Sequence, residues 1–306
     1  MSLIKSPPTV SSKTSEKPVA VPSTRESPWD WLGLLPFLLF AFLFLFAPSA
    51  SIFVNSFQDL SGHFTLSNLA AILTERDFLN AYKASLSISF ITAAGGAIFG
   101  FLLAYAVVMG GLPNSLRTFL LTFSGVASNF AGVPLAFAFI ATMGNAGLVT
   151  GWIETILGID IHAQGFTIYN IWGLSIVYMY FQFPLMVLIM APALDGLRRE
   201  WKEACENLGG TSLQYWRYVA FPILMPSLLG TTILLFGNAF GAYATAYAFS
   251  GSFINLVTIV IGAQLQGDVL FNPGLGNALA LGMIVIMTLC MLGYLYMQRI
   301  SARWVR

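Results

Sequence analysis

Charge is what this sequence has least of: Asp, Glu, Lys and Arg together make up 9% of its 306 residues, against 57% hydrophobic residues. A soluble domain carries about 25% charged residues, so that class is excluded. Histidine and cysteine are also scarce, at two each. His63 and His162 stand alone, and no HExxH, CxxC or GxSxG occurs, so neither a metal centre nor nucleophilic catalysis has residues to rest on. Cys205 falls in a charged loop and Cys290 in the last apolar run, and both read as free thiols. No GxxxxGK[ST] is present, and no Lys follows a Gly, so nucleotide hydrolysis and a bound nucleotide cofactor are excluded for this chain. A net charge of +1 gives no reason to expect a nucleic-acid partner.

Long apolar sequence is what remains. Runs at 31–58, 84–109, 119–143, 168–194, 224–249 and 275–297 are each long enough to cross about 30 Å of hydrocarbon, which takes about 20 helical residues. The lipid-exposed backbone must satisfy its own N–H and C=O groups, and no alternating pattern suggests a barrel, so the runs predict six helices in an all-α integral membrane fold. Residues 1–29 are rich in Ser, Pro, Thr and Lys and predict a disordered tail ahead of a membrane domain at 30–306. The first run is too long for a signal-peptide core and is read as a retained span.

Twelve of the 14 Lys and Arg residues fall on one side of this arrangement; only Arg76 and Lys83 fall on the other. The positive-inside rule then places both termini and the loop 195–222 in the cytoplasm. Trp31, Trp172 and Trp304 fit interfacial anchors. On the outer side, Leu148, Trp152, Ile153, Ile156 and Leu157 recur at helical spacing and predict a short amphipathic surface helix. The run 254–261 is too short to span and predicts a re-entrant or gate-capping segment.

No Asp, Glu, Lys, Arg or His lies in mid-span on this assignment. That argues against a carrier coupled to a proton or ion gradient, because such carriers place ionisable groups on the pathway. Uncharged polar residues are the candidates for a solute path: Asn129, Tyr178, Gln182, Asn238 and Tyr243, with Tyr180, Thr245 and Tyr247 beside them. Each could equally pair with a neighbouring helix. Gln182 precedes Phe183-Pro184, where a proline frees a carbonyl. Gly95, Gly96 and Gly100, and Gly237 with Gly241, suit close helix crossings.

The loop 195–222 holds the densest charge in the chain. Glu200, Trp201, Glu203, Ala204, Cys205 and Leu208 favour a short helix; Gly209 and Gly210 can end it, and Thr211-x-x-Gln214 offers a capping box for the next. Pro222 and Pro226 predict a break where the chain returns to the membrane. Such a helix, stopped by two glycines, would present a knob to a partner.

Glu203-Ala204-Cys205, three residues, Gly209, nine residues and Val219-Ala220-Phe221-Pro222 resemble the EAA-x3-G-x9-I-x-L-P signature of permease subunits in binding-protein-dependent ABC importers. Cys, Val and Phe replace the usual Ala, Ile and Leu, while Glu203, Ala204, Gly209 and Pro222 match. The resemblance implies the MetI-like ABC importer permease fold, and a bacterial inner-membrane subunit whose loop docks as a coupling helix on a dimer of cytoplasmic ATP-binding cassette subunits. It also implies a second permease subunit, a different chain, and an extracytoplasmic substrate-binding protein. The general look is closest to polyamine, opine, phosphonate and ferric-iron permeases. An ion-coupled carrier and a non-transporting membrane scaffold are the rival classes; the missing mid-span charges speak against the first and the loop against the second.

Overall fold

The computed structural model describes residues 33–159, 163, 167–251, 253–266 and 271–304, without the side chains of 297 and 300–304. The expected tail 1–29, Trp31, His162 and the Trp304 side chain lie outside the described residues. By packing, the chain divides into Met1–Ser49 and Ala50–Arg306. The first unit is described at 33–49, the greater part of helix α1, Leu35–Asn55, in which Phe42–Phe46 is wound as a π-helix.

The second unit is built from α2 (Ser67–Thr74), α3 (Arg76–Met109), α4 (Asn114–Asn129), α5 (Val133–Met143), α6 (Leu148–Leu157) and α7 (Ile171–Asp195). After it come α8 (Arg199–Asn207), α9 (Ser212–Phe240), α10 (Tyr243–Ser250), α11 (Val257–Gln266) and α12 (Pro273–Trp304). Among the described residues, six stretches are long and apolar enough to cross a membrane: Leu35–Asn55, Arg76–Met109, Val133–Leu157, Ile171–Asp195, Ser212–Phe240 and Pro273–Tyr296.

Helix α7 is the axis of this unit. Leu174, Met186, Val187, Met190 and Leu194 along it have no exposed surface. The small residues of α3 let it approach closely. A methyl group built on Gly96 would lie 3.0 Å from Gln182 Cβ, and one on Gly100 would lie 2.6 Å from Met186 Cβ. Such spacing suits a bilayer, where van der Waals contact between backbones drives association because lipid is as apolar as Leu. Away from α7, side chains such as Phe90, Ile98 and Leu102 on α3 are exposed, the surface that lipid covers.

Three expectations are corrected. The run 119–143 is not one helix: it parts at Phe130–Gly132, where Gly132 takes φ 75°, and restarts with Pro134 in the first turn of α5. Proline suits a first turn because its missing N–H would have no partner there. The run 224–249 likewise parts at Gly241 and Ala242, so Gly241 ends a helix, whereas Gly237 meets Met287 of α12. Pro222 and Pro226 make no break. Ala220 and Phe221 are helical, and a π-helical turn at Trp216–Ala220 just ahead of Pro222 absorbs the lost hydrogen bond, so α9 runs unbroken. A short helix is present at the expected residues as α6, but it falls inside the candidate span Val133–Leu157 and not in a separate outer loop, and the run 254–261 enters α11, whose Val257 and Ile259 are buried.

Candidate functional site

The two helix breaks face one another. The Gly132 N–H donates to Thr245 Oγ1 at 2.7 Å, tying the start of α5 to the first turn of α10. Tyr178 Oη donates to the Ala242 carbonyl at 2.9 Å, and Gln182 Nε2 to the Leu235 carbonyl at 2.9 Å. The first bond serves an N–H that the helix break leaves without an internal partner, which a low-dielectric interior cannot tolerate cheaply, while the other two add a second donor to carbonyls at and just before the second break.

A cleft of about 480 Å³ opens at this junction, lined by Ser128, Gly132, Phe181, Asn238, Tyr243 and Thr245 among others. Asn238 and Tyr243 therefore share one cleft wall. Tyr243 stacks on Tyr247, with ring centres 5.5 Å apart. Tyr178 and Gln182 are fully buried and reach this region only through their bonds to Ala242 and Leu235. Gln182 Oε1 has no hydrogen-bond partner among the described residues. Asn129 donates to the Gly125 carbonyl at 2.9 Å, on the last turn of α4, and does not line the cleft. Tyr180 meets Phe130 and Phe139 edge-on. Gly132 and Ala242 escaped the sequence reading. The Gly132-Val133-Pro134 triplet was the available signal, since glycine followed by an early proline marks a helix start.

The second site is the loop after α7. Helix α8 ends in a Schellman turn: the Gly209 N–H meets the Glu206 carbonyl and the Gly210 N–H meets the Cys205 carbonyl, both at 2.9 Å. Gly209 holds φ 76°, a region costly for residues with a side chain. Thr211 then caps α9. Its hydroxyl accepts from the Gln214 N–H, and Gln214 Oε1 accepts from the Thr211 N–H at 2.7 Å, a complete capping box.

Within this knob the motif residues divide. Trp201 and Cys205 pack, with Trp216, against the cluster of Met186, Met190, Leu194, Tyr215 and Leu224, which seats α8 on the ends of α7 and α9. Glu203 and Ala204 are exposed, and Leu208 and Leu213 project 89% and 77% of their surface outward. Pro222 lies in α9, beyond the knob. Arg117 on α4 pairs with Asp195 at the end of α7, bracing the base of the loop. The knob therefore has an outer face carrying Glu203, Ala204, Leu208 and Leu213 and an inner side, Trp201 and Cys205, seated on the ends of α7 and α9.

Among the described residues, no group of three or more His, Cys, Asp or Glu is placed to hold a metal.

A profile of the family described as binding-protein-dependent transport system inner membrane component matches residues 96–306. The chain is 27% identical to the sulfate transport system permease protein CysT of Salmonella typhimurium, over 81% of this chain and 86% of that one. It is 23% identical to the ferric transport system permease protein FbpB of Actinobacillus pleuropneumoniae, over 76% of this chain and 34% of that longer one. Among solved structures, a bacterial alginate ABC transporter chain superposes with a TM-score of 0.68 at 16% identity, covering 89% of this chain and 96% of that one. A chain of the MetNI methionine ABC transporter gives 0.53 at 16% identity, covering 73% and 95%.

Proposed function

The chain belongs to the family of binding-protein-dependent transport system inner membrane components, and from that membership we propose that its loop 195–222 is where a separate ATPase drives it. It is a permease subunit of an ABC importer, a multi-pass inner-membrane protein, and ATP hydrolysis belongs to a separate subunit. The observation that carries the proposal is the Schellman-capped knob, which offers Glu203, Ala204, Leu208 and Leu213 outward while Cys205 and Trp201 anchor it inward. Both termini and this knob lie in the cytoplasm, in line with the distribution of Lys and Arg. ATP-driven closure of an ATPase dimer moves α8, and through its seat α7 and α9.

The solute passes by the cleft at Gly132 and Ala242, delivered by an extracytoplasmic binding protein. A second permease, a different chain, completes the pore. The first turns of α5 and α10 border the cleft, and helix N-termini favour anions. With several relatives named as sulfate permeases, an oxyanion is the substrate class best supported. The experiment is uptake by proteoliposomes holding the full complex. Glu203→Lys is expected to abolish ATP-dependent uptake while membrane insertion is unchanged. Uptake driven by a proton gradient without any ATPase would refute the proposal, and a co-purifying binding protein loaded with a cation would refute the oxyanion assignment.

A further inference from the structure

Behind the knob lies a recess of about 260 Å³ that neither the cleft nor the outward face of α8 uses. Its walls are the end of α3, the α7–α8 turn and the start of α9. Three cations line it, Arg198, Arg199 and Lys202, with the hydroxyl-bearing Ser212 and the aromatic Tyr105 and Trp216, and no carboxylate does. Of the nearby acids, Asp195 pairs with Arg117 and Glu206 lies 3.8 Å from Lys202 in a loose, exposed pair, while Glu200 and Glu203 on α8 make no ion pair among the described residues. Arg198 lies over the Trp201 ring at 5.8 Å, and among the described residues neither Arg198 nor Arg199 has a carboxylate partner. Leu208 and Leu213, the surface offered to a partner, do not line the recess.

Three like charges gathered around one concave recess repel one another unless an anion joins them. Guanidinium forks match phosphate oxygens two at a time, an ammonium adds a point charge, and a hydroxyl can donate a further bond. We propose that this recess binds a phosphate group, holding α8 to the end of α3 and so setting how firmly the knob is seated. The recess sits at the end of a membrane-spanning helix beside Tyr105 and Trp216, a depth at which anionic lipid headgroups meet basic side chains. A lipid phosphate and free phosphate share this chemistry. Binding itself does not rest on the permease reading; only its effect on coupling does.

The test is native mass spectrometry of the purified full chain with phosphatidylglycerol or phosphatidylcholine added, together with calorimetric titration of inorganic phosphate. Phosphatidylglycerol or phosphate is expected to bind, with affinity falling about fivefold for each of Arg199→Gln and Lys202→Gln. Retention of phosphatidylglycerol alone assigns a lipid, and saturation by phosphate assigns a free anion. Lys83→Gln and Arg217→Gln, which remove cations outside the recess, are expected to leave binding unchanged. Ser212→Glu puts a carboxylate into the recess at a helix start that tolerates acids, and is expected to abolish binding without unfolding the chain. The proposal is overturned if neither probe binds, if the double Arg199→Gln, Lys202→Gln variant or the Ser212→Glu variant binds like the original, or if the two control substitutions weaken binding as much.

Discussion

Gly209 is the residue on which the shape of the coupling knob turns. At φ 76° it closes a Schellman turn whose two bonds end α8. A side chain in that region costs about 1–2 kcal/mol for Ala, less for Asn, whose short polar group tolerates it, and more for β-branched Val. Helix α8 has nine residues, fewer than the roughly 12–15 that an isolated helix needs, so it depends on this cap and on the seating of Trp201 and Cys205. Losing 1–2 kcal/mol from the cap lowers the capped population by a factor of up to about 5–30. ATP-driven uptake by the reconstituted complex should follow that population, in the order Asn, Ala, Val from mildest to most severe, with Gly209→Ala reduced by about tenfold. The loop lies outside the bundle, so the amount inserted and its thermal stability should change little. Amide exchange across 199–210 reads the same loss directly. Wild-type uptake by Gly209→Val, or greater damage from Asn than from Val, would refute the reasoning.

Two further outcomes concern the bundle. Gly100→Ala places a methyl 2.6 Å from Met186 Cβ and 3.2 Å from the Phe183 carbonyl, so α3 and α7 must part, and stability in detergent should fall by about 1–3 kcal/mol. Gly95→Ala meets only the flexible tip of Met179 and should be close to neutral in the same denaturation assay. At the junction of the breaks, Thr245→Val leaves the Gly132 N–H without its acceptor and should cost about 1–3 kcal/mol. Tyr178→Phe should cost less, about 0.6–1.7 kcal/mol, because the Ala242 carbonyl, at a helix cap, keeps the first bond of α10.

Much of the fold was legible in the sequence for local reasons. Membrane class, six spans and the inability to hydrolyse nucleotide follow from composition and from the missing phosphate-binding motif. The form of the knob was legible too, because helix, glycine stop and capping box each depend on residues three to five positions apart. Which face of the knob points outward was not, since the small residues Ala204 and Cys205 stand side by side in sequence and only what α7 and α9 place beside them partly buries the second and leaves the first exposed.

The sequence by itself determined a six-span permease with an external power source. Tertiary structure alone decided where its spans break. Hydropathy reads 119–143 and 224–249 as continuous, because a break leaves no apolar deficit when distant residues satisfy its backbone groups. Thr245 serves Gly132 across 113 positions, and Tyr178 serves Ala242 across 64. The same contacts settled that Tyr178 Oη and Gln182 Nε2 donate to the backbone, while Asn238 and Tyr243, no more polar in sequence, are left facing the cleft.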